Sequence, residues 1–282
     1  HKEYRRQRQM CIRDRVDAML SGQPLPEDTP QSDLSVQYGF WHQLGGTSSN
    51  LGYEVRWVLG AVKSNRWIEF SSQGKVVQLS EMPQPEGWRH NRIEPIPTVH
   101  TIPSCAWQLT SKARKGKFNR YRAIELGLNE DEKAELAAGT DINKNGELLL
   151  SRDFRGEDVS PLSVIISGDT AEMAPSLTSI GGCNLLIHEA TFLDDLAQHA
   201  QDYLHSTASG AARTAIACGA SHLVLTHYGA RIKQTGPSLD EAMSELANSE
   251  IGLSAAWDGD RVLVEDSGEV SHLYWRDDGW TR

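Results

Sequence analysis

Leu162-Ser163-Val164-Ile165-Ile166-Ser167-Gly168-Asp169-Thr170, Cys183-Asn184-Leu185-Leu186-Ile187-His188 and His222-Leu223-Val224-Leu225-Thr226-His227 are three short runs built around apolar residues. Each apolar stretch is a few residues long and is bounded by Gly, Ser or Asn, the pattern of a strand buried on both faces. Between the second and third runs lies SGAARTAIACGA, residues 209–220, which reads as a helix of small residues. Strands alternating with helices predict an α/β layer.

An acid or an imidazole stands beside each of these strand ends. Asp169 follows Val164-Ile165-Ile166, with Gly168 allowing a tight turn before it. Glu189 closes Leu185-Leu186-Ile187-His188, His205 opens His205-Ser206-Thr207, and His227 ends LVLTH. Oxygen and nitrogen ligands delivered to one sheet edge could hold metal ions, and the chemistry suggested is metal-assisted hydrolysis. Each residue also has a plainer reading. Gly-Asp-Thr is a common turn, a strand-end His is often structural, and His205 is also simply the residue before an N-cap. His100, in PIPTVHTIPS, reads as part of a strand flanked by prolines. If Glu189 reaches His205, it would hold the imidazole in one tautomer and keep it protonated, ready to donate to a leaving alkoxide. His188 would point to the opposite face of a continuing strand, so it is left out of the site.

The chain has 282 residues, 39% of them hydrophobic, enough for a sizeable core in one large domain or two modest ones. No stretch approaches 18 consecutive apolar residues and the N-terminus has no apolar h-region, so neither membrane nor export is indicated. Cys11, Cys105, Cys183 and Cys218 show no C-x-x-C spacing, and a reducing cytoplasm is the simplest compartment. Residues 1–15 hold six basic and two acidic side chains, against a net charge of −10 for the whole chain. They have no apolar periodicity and resemble read-through of a sequencing adapter, so they are excluded from the fold as extraneous or disordered, a natural basic arm being the alternative. A proline-rich linker follows at residues 22–30.

From residue 33 to about 109, short runs such as LSVQYGFW, YEVRWVLGAV, RWIEF, KVVQL and IEPIPTVH alternate with Gly, Ser, Asn and Pro, predicting antiparallel strands and hairpins. Residues 121–138 are good helix formers broken at Gly127 and ended by Gly139. Just before them Lys112, Arg114, Lys115, Lys117, Arg120 and Arg122 interleave with Phe118 and Tyr121 on an otherwise acidic body. This offers phosphate-seeking cations and stacking faces together, or else a solvated loop.

His100 in a V-H-x-x-x-S context, SGDT, LLIHEATF, LHST and LTHYGAR, in this order, resemble ribonuclease Z, the tRNA 3′-end endonuclease family of the metallo-β-lactamase superfamily. The resemblance covers about His100 to Val264. Residues 116–142 resemble the region of that family carrying its tRNA-binding arm, and AAWDGDRVLV its closing strand. The resemblance implies a single α/β domain over residues 16–282, a metallo-β-lactamase-type αββα sandwich incomplete at its N-terminus, with an inserted arm at about 110–145. It makes His100, Asp169 and His227 ligands of two zinc ions, with Asp169 bridging, manganese being the alternative metal. His205 becomes the proton donor and Glu189 its acidic partner. Arg231, Lys112, Arg114, Lys115 and Lys117 would meet phosphates of precursor tRNA. A cytoplasmic enzyme, and a homodimer, fall within what the resemblance allows.

Two departures stand against it. The family signature H-x-H-x-D-H is absent, and neither His42 nor His90 has the neighbours to supply it. With His100, Asp169 and His227 alone the dinuclear site is short of ligands, so this polypeptide is expected to be inactive as it stands. Truncation of a longer gene is the favoured reading, a degenerate relative the other. The Gly-Pro element of the arm is replaced by Asn129-Glu130-Asp131-Glu132-Lys133. The alternatives are therefore a phosphodiesterase acting on small cyclic nucleotides, or a non-catalytic RNA-binding relative.

Overall fold

The computed structural model describes residues 57–70, 76–276 and 279–281. The expectations for residues 1–15, for the linker at 22–30 and for LSVQYGFW lie outside the described residues. The chain divides into two compact units between Trp88 and Arg89.

In the first unit, β1 (Trp57–Ala61), β2 (Arg66–Phe70) and β3 (Val76–Leu79) form an antiparallel sheet in chain order, as the alternating runs predict. Asn65 turns the chain before β2 with a φ of 47°, and its side-chain oxygen accepts a hydrogen bond from the Trp67 indole at 2.8 Å. A Cβ at Gly60 would run into that indole, so the glycine is what lets the ring lie across β1.

The second unit opens with β4 (Asn91–Pro97) and β5 (Cys105–Ser111), followed by an arm made of α1 (Arg120–Glu125), α2 (Glu130–Ala138), β6 (Ile142–Lys144) and β7 (Glu147–Leu149). Then come β8 (Ser163–Ile166), α3 (Pro175–Thr178), β9 (Leu185–Glu189), α4 (Ala197–Tyr203), α5 (Ala208–Cys218), β10 (His222–Thr226), α6 (Gly236–Leu246) and β11 (Gly252–Ala255). A hairpin and short return strand finish the chain: β12 (Arg261–Val264), β13 (Val270–Arg276) and β14 (Gly279–Thr281). The segment expected as one closing strand is thus split by a turn at Trp257–Asp260, where Gly259 takes a φ of 94°. Among the described residues no helix is long and apolar enough to cross a membrane.

Six strands make the central sheet, in the order β11-β10-β9-β8-β5-β4. β8 to β11 run parallel and β5 and β4 return antiparallel. The register aligns Ile165, Leu186 and Leu223 across three strands, and all three enter one core with the buried alanines of α5. Burying each of these Leu or Ile side chains is worth roughly 2 kcal/mol. Helix α5 can approach the sheet closely because Ala208, Gly210, Ala211, Ala212 and Ala215 form its buried face. The Thr207 hydroxyl accepts from the Gly210 N–H at its start, and Gly219 ends it in a left-handed cap. The fold is therefore α/β, as the alternation predicts, with a helix layer packed on one face of the sheet.

Two local expectations are corrected. The strand read through His100 stops at Pro97, because β4 is the sheet's edge, where prolines without an N–H are tolerated, and the chain turns back at once through a Thr98 N–H to Ser104 carbonyl bond. His100 lies in the loop beyond. Phe118 is not a free stacking face either. It stacks on Phe154, ring centroids 6.1 Å apart, in a small core with Ala123, Leu128, Leu136 and Ile142.

That core belongs to the arm. Its stalk is closed by paired backbone bonds between Arg114 and Val159, 3.0 and 2.8 Å. Its hairpin turns on Asn145-Gly146, φ 54° and 88°, the pairing a type I′ turn demands. Asn129-Glu130-Asp131-Glu132-Lys133 opens α2 with a reciprocal capping box between Asn129 and Glu132.

Candidate metal centre

The carboxyl ends of β8, β9 and β10 sit side by side, and the residues just past them meet the loops before β5 and α5. Gly168, φ 59°, makes the turn after β8; a Cβ there would press on the Cys105 carbonyl at 3.0 Å. The turn aims Asp169 outward while its carbonyl is held by Ser104 Oγ at 2.9 Å. His100 Nε2 lies 3.9 Å from Asp169 Oδ2, and His227 Nε2 lies 3.4 Å from Asp169 Oδ1. Two ligands on one tetrahedral zinc stand about 3.4 Å apart, given metal–ligand bonds near 2.1 Å. The His227 pair matches that spacing and the His100 pair is wider, and each carboxylate oxygen faces a different imidazole.

The other ring nitrogens fix the tautomers. His100 Nδ1 bonds the Leu204 carbonyl at 3.0 Å, an acceptor only, so Nδ1 carries the proton and Nε2 presents its lone pair toward Asp169. The Thr191 hydroxyl lies 2.5 Å from Glu189 Oε2 and 2.9 Å from His227 Nδ1. Having given its single proton to the carboxylate, it accepts from His227 Nδ1–H, which again leaves Nε2 free. His227 itself is held with a φ of 55°, an uncommon backbone state for a residue with a side chain.

Glu189 and His205 form a distinct pair. Glu189 is buried, and its Oε1 lies 2.7 Å from His205 Nδ1. The same oxygen accepts from the Thr170 N–H at 2.9 Å, and Oε2 accepts from the Thr191 N–H at 3.2 Å and from its hydroxyl. Four donors on one carboxylate make it a satisfied buried anion and a firm anchor for the imidazole. The His205 ring is 4.7 Å from His100 and 5.9 Å from His227 between centroids, so it stands over the same space as the ligand pairs. Two groups that could hold a metal ion emerge, His100 with Asp169 and His205, and Glu189 with His205 and His227.

All five inner residues named from sequence converge. The outer ones divide. Arg231 is exposed in the turn after His227 and its side chain has no ion pair or hydrogen bond among the described residues. Arg114 is tied to Asp266 at 2.5 Å, while Lys112, Lys115 and Lys117 are exposed without ion pairs among the described residues. His188 points away from the site, fully buried in the direction of the helix layer. Two contributors were missed. Thr191 stands inside the HEATF run, and only its hydroxyl among small neighbours hinted at a role. Leu204 acts through its carbonyl, for which sequence carries no signal.

No protein-family model matches the chain. It is 32% identical over 158 residues to a Ribonuclease Z of Methanosarcina mazei, covering 55% of this chain and 52% of that protein. It is 35% identical over 143 residues to one of Prochlorococcus marinus, 50% and 45%, and 33% over 179 residues to one of Haloarcula marismortui, 63% and 54%. All three of these relatives are named Ribonuclease Z. The chain spans about half the length of these ribonuclease Z relatives. Among solved structures, a metallo-β-lactamase fold protein of Bacillus subtilis shares 17% identity at a TM-score of 0.37 over 67% of this chain and 52% of that one. Human tRNase Z, short form, shares 18% at 0.34 over 70% and 47%. These superpositions are loose, and the kinship to ribonuclease Z rests on the sequence relatives. The motifs that carried the resemblance, SGDT, HEATF, HST and THYGAR, are the ones that meet at the strand ends described above.

Proposed function

We propose that this chain carries the metal- and proton-handling part of a ribonuclease Z-type endoribonuclease that cuts precursor tRNA at its 3′ end. The observation that carries the reading is the placement of the 2.7 Å Glu189–His205 pair over Asp169, with His100 and His227 flanking that carboxylate. Two ions held between Asp169 and the two imidazoles, zinc or manganese, would supply an activated water and charge stabilisation at a phosphodiester. Asp169, fixed by Gly168 and Ser104, would hold the ions together with His100 and His227, whose Nε2 atoms are available because Leu204 and Thr191 engage their Nδ1 protons. His205, its Nδ1–H engaged by Glu189, would in its doubly protonated form pass the Nε2 proton to the departing 3′ oxygen and return to the neutral imidazole. Donors of the right chemistry are present, but among the described residues each ion would have one imidazole and one carboxylate oxygen. Turnover by this chain alone is therefore expected to be weak or absent.

Titration calorimetry with Zn²⁺ and Mn²⁺ tests the reading. Wild type is expected to bind metal and Asp169→Ala to lose at least tenfold in affinity, and any cleavage of a 5′-labelled precursor tRNA should vanish with chelator. Cleavage that survives chelation or Asp169→Ala overturns it.

One observation favours a smaller substrate. The arm tip that the resemblance leads one to expect as Gly-Pro is a capped helix start in which Lys133 and Lys144 are paired to Glu130 and Glu132. Turnover of cyclic nucleotides but not of precursor tRNA would establish that alternative.

A further inference from the structure

We infer that Trp257 is a stacking platform for a nucleobase next to the scissile phosphate, a substrate-binding residue of the proposed RNA-cutting site. β10 and β11 are parallel neighbours with Leu225 opposite Ala255, and the Ala256 N–H continues the ladder to the Leu225 carbonyl at 2.9 Å. Past the paired ends the two chains continue as His227-Tyr228 and Ala256-Trp257, so the backbone of Trp257 leaves the sheet on the strand next to the one that carries a proposed metal ligand. Its ring stacks on Tyr228, centroids 5.9 Å apart and planes 21° apart.

Tyr228 is itself immobilised. It packs against the main core and its hydroxyl donates to the Leu225 carbonyl at 2.8 Å. The Trp257 backbone is pinned in turn, its N–H bonded to Asp260 Oδ2 at 2.9 Å and its carbonyl to the Asp260 N–H. Yet the side chain is 51% exposed. A large apolar ring, backed by Tyr228 and half exposed to water, on the strand next to the one that carries His227, is what a base requires to stack. Stacking of this kind tolerates any base, because every base offers a π face. It would hold the strand in position while leaving the phosphate to the metals, and it uses no contact made by the arm.

The inference rests on the RNA reading above, and binding without turnover separates the two. The full chain, in chelator, is titrated into a fluorescein-labelled acceptor-stem hairpin with a single-stranded 3′ extension. Trp257→Ala is expected to weaken binding about tenfold and Trp257→Phe by no more than about threefold. Trp88→Ala, a 38% exposed indole of the first unit, should change nothing. A hairpin carrying abasic nucleotides at the stem–extension junction should bind wild type and Trp257→Ala alike. Near-ultraviolet circular dichroism confirms that each variant is folded, and Trp257→Phe preserves the stack on Tyr228. If wild type binds the hairpin and Trp257→Ala matches it, the platform is overturned and the RNA reading stands. If wild type binds no RNA, both fall.

Discussion

His188 is a buried structural residue of the HEATF run, while its neighbour Glu189 belongs to the proposed site. Period-2 alternation sends Glu189 toward the site and His188 into the helix layer, where its Nδ1 donates to the Glu189 carbonyl at 2.8 Å. Its Nε2 has no hydrogen-bond partner among the described residues, and burial holds the imidazole below its usual pKa against the opposing pull of Glu189 and Glu172. The group is a base whose folded pKa is depressed, so the folded form stays neutral. The unfolded chain takes up a proton near pH ~6.5. Stability is therefore full above that value and is lost as pH falls below it toward the folded pKa. His188→Asn, whose amide can replace the Nδ1 donor, is expected to flatten the decline between pH 7 and 5 by up to about 1.4 kcal/mol per pH unit. Urea unfolding at pH 7, 6 and 5 measures it, and parallel curves for the two proteins would refute it. Asp169, Glu189 and His227 could be placed near strand ends because apolar runs end at or beside them, whereas their grouping with His205 came from the motif resemblance and not from the pattern. Thr191 was not legible, since its bonds to Glu189 and His227 depend on the path of two loops and not on spacing.

At the scale of elements, the arm should behave as a separate folding patch. Leu136 is fully buried in a core of a few side chains and shares no cluster with the main sheet. Leu136→Ala should cost the arm about 2–5 kcal/mol, enough to open so small a unit. Amide exchange in α1, α2 and the β6–β7 hairpin is then expected to accelerate by orders of magnitude, with β8, β9 and β10 unchanged. Equal acceleration in the sheet would show that the arm is no independent patch. The arm's helices could be read from Gly127 and Gly139, which break the pattern with φ of 63° and 99°. The stalk could not, because Arg114 and Val159 are far apart in sequence and only tertiary pairing joins them. β4's early end has the same origin: its run of apolar residues and prolines looks continuous through His100, and edge position decides where the ladder stops.

For the whole molecule, charge distribution decides how a polyanion could approach a chain of net charge −10. The six cations read from residues 112–122 are not equivalent once folded. Arg114 is taken by Asp266, Arg120 by Glu130, and Arg122 by the Asp153 carbonyl and the face of Phe154. Lys112, Lys115 and Lys117, exposed on the stalk, are left to meet phosphate. Arg120 and Arg122 are engaged within the arm and Arg114 ties its stalk to Asp266, so on the proposed RNA reading the three lysines would supply the electrostatic contribution to binding. If each lysine neutralises one phosphate, replacing all three by alanine removes three released counterions and lowers the slope of log affinity against log salt by about 2–3. Affinity for the acceptor-stem hairpin should fall at low salt and converge with wild type as salt rises, with no loss of folding stability because these lysines form no ion pair among the described residues. Fluorescence anisotropy titrations at several salt concentrations give both slopes. Identical slopes would mean that the stalk lysines are a solvated surface and that RNA reaches the centre by another face.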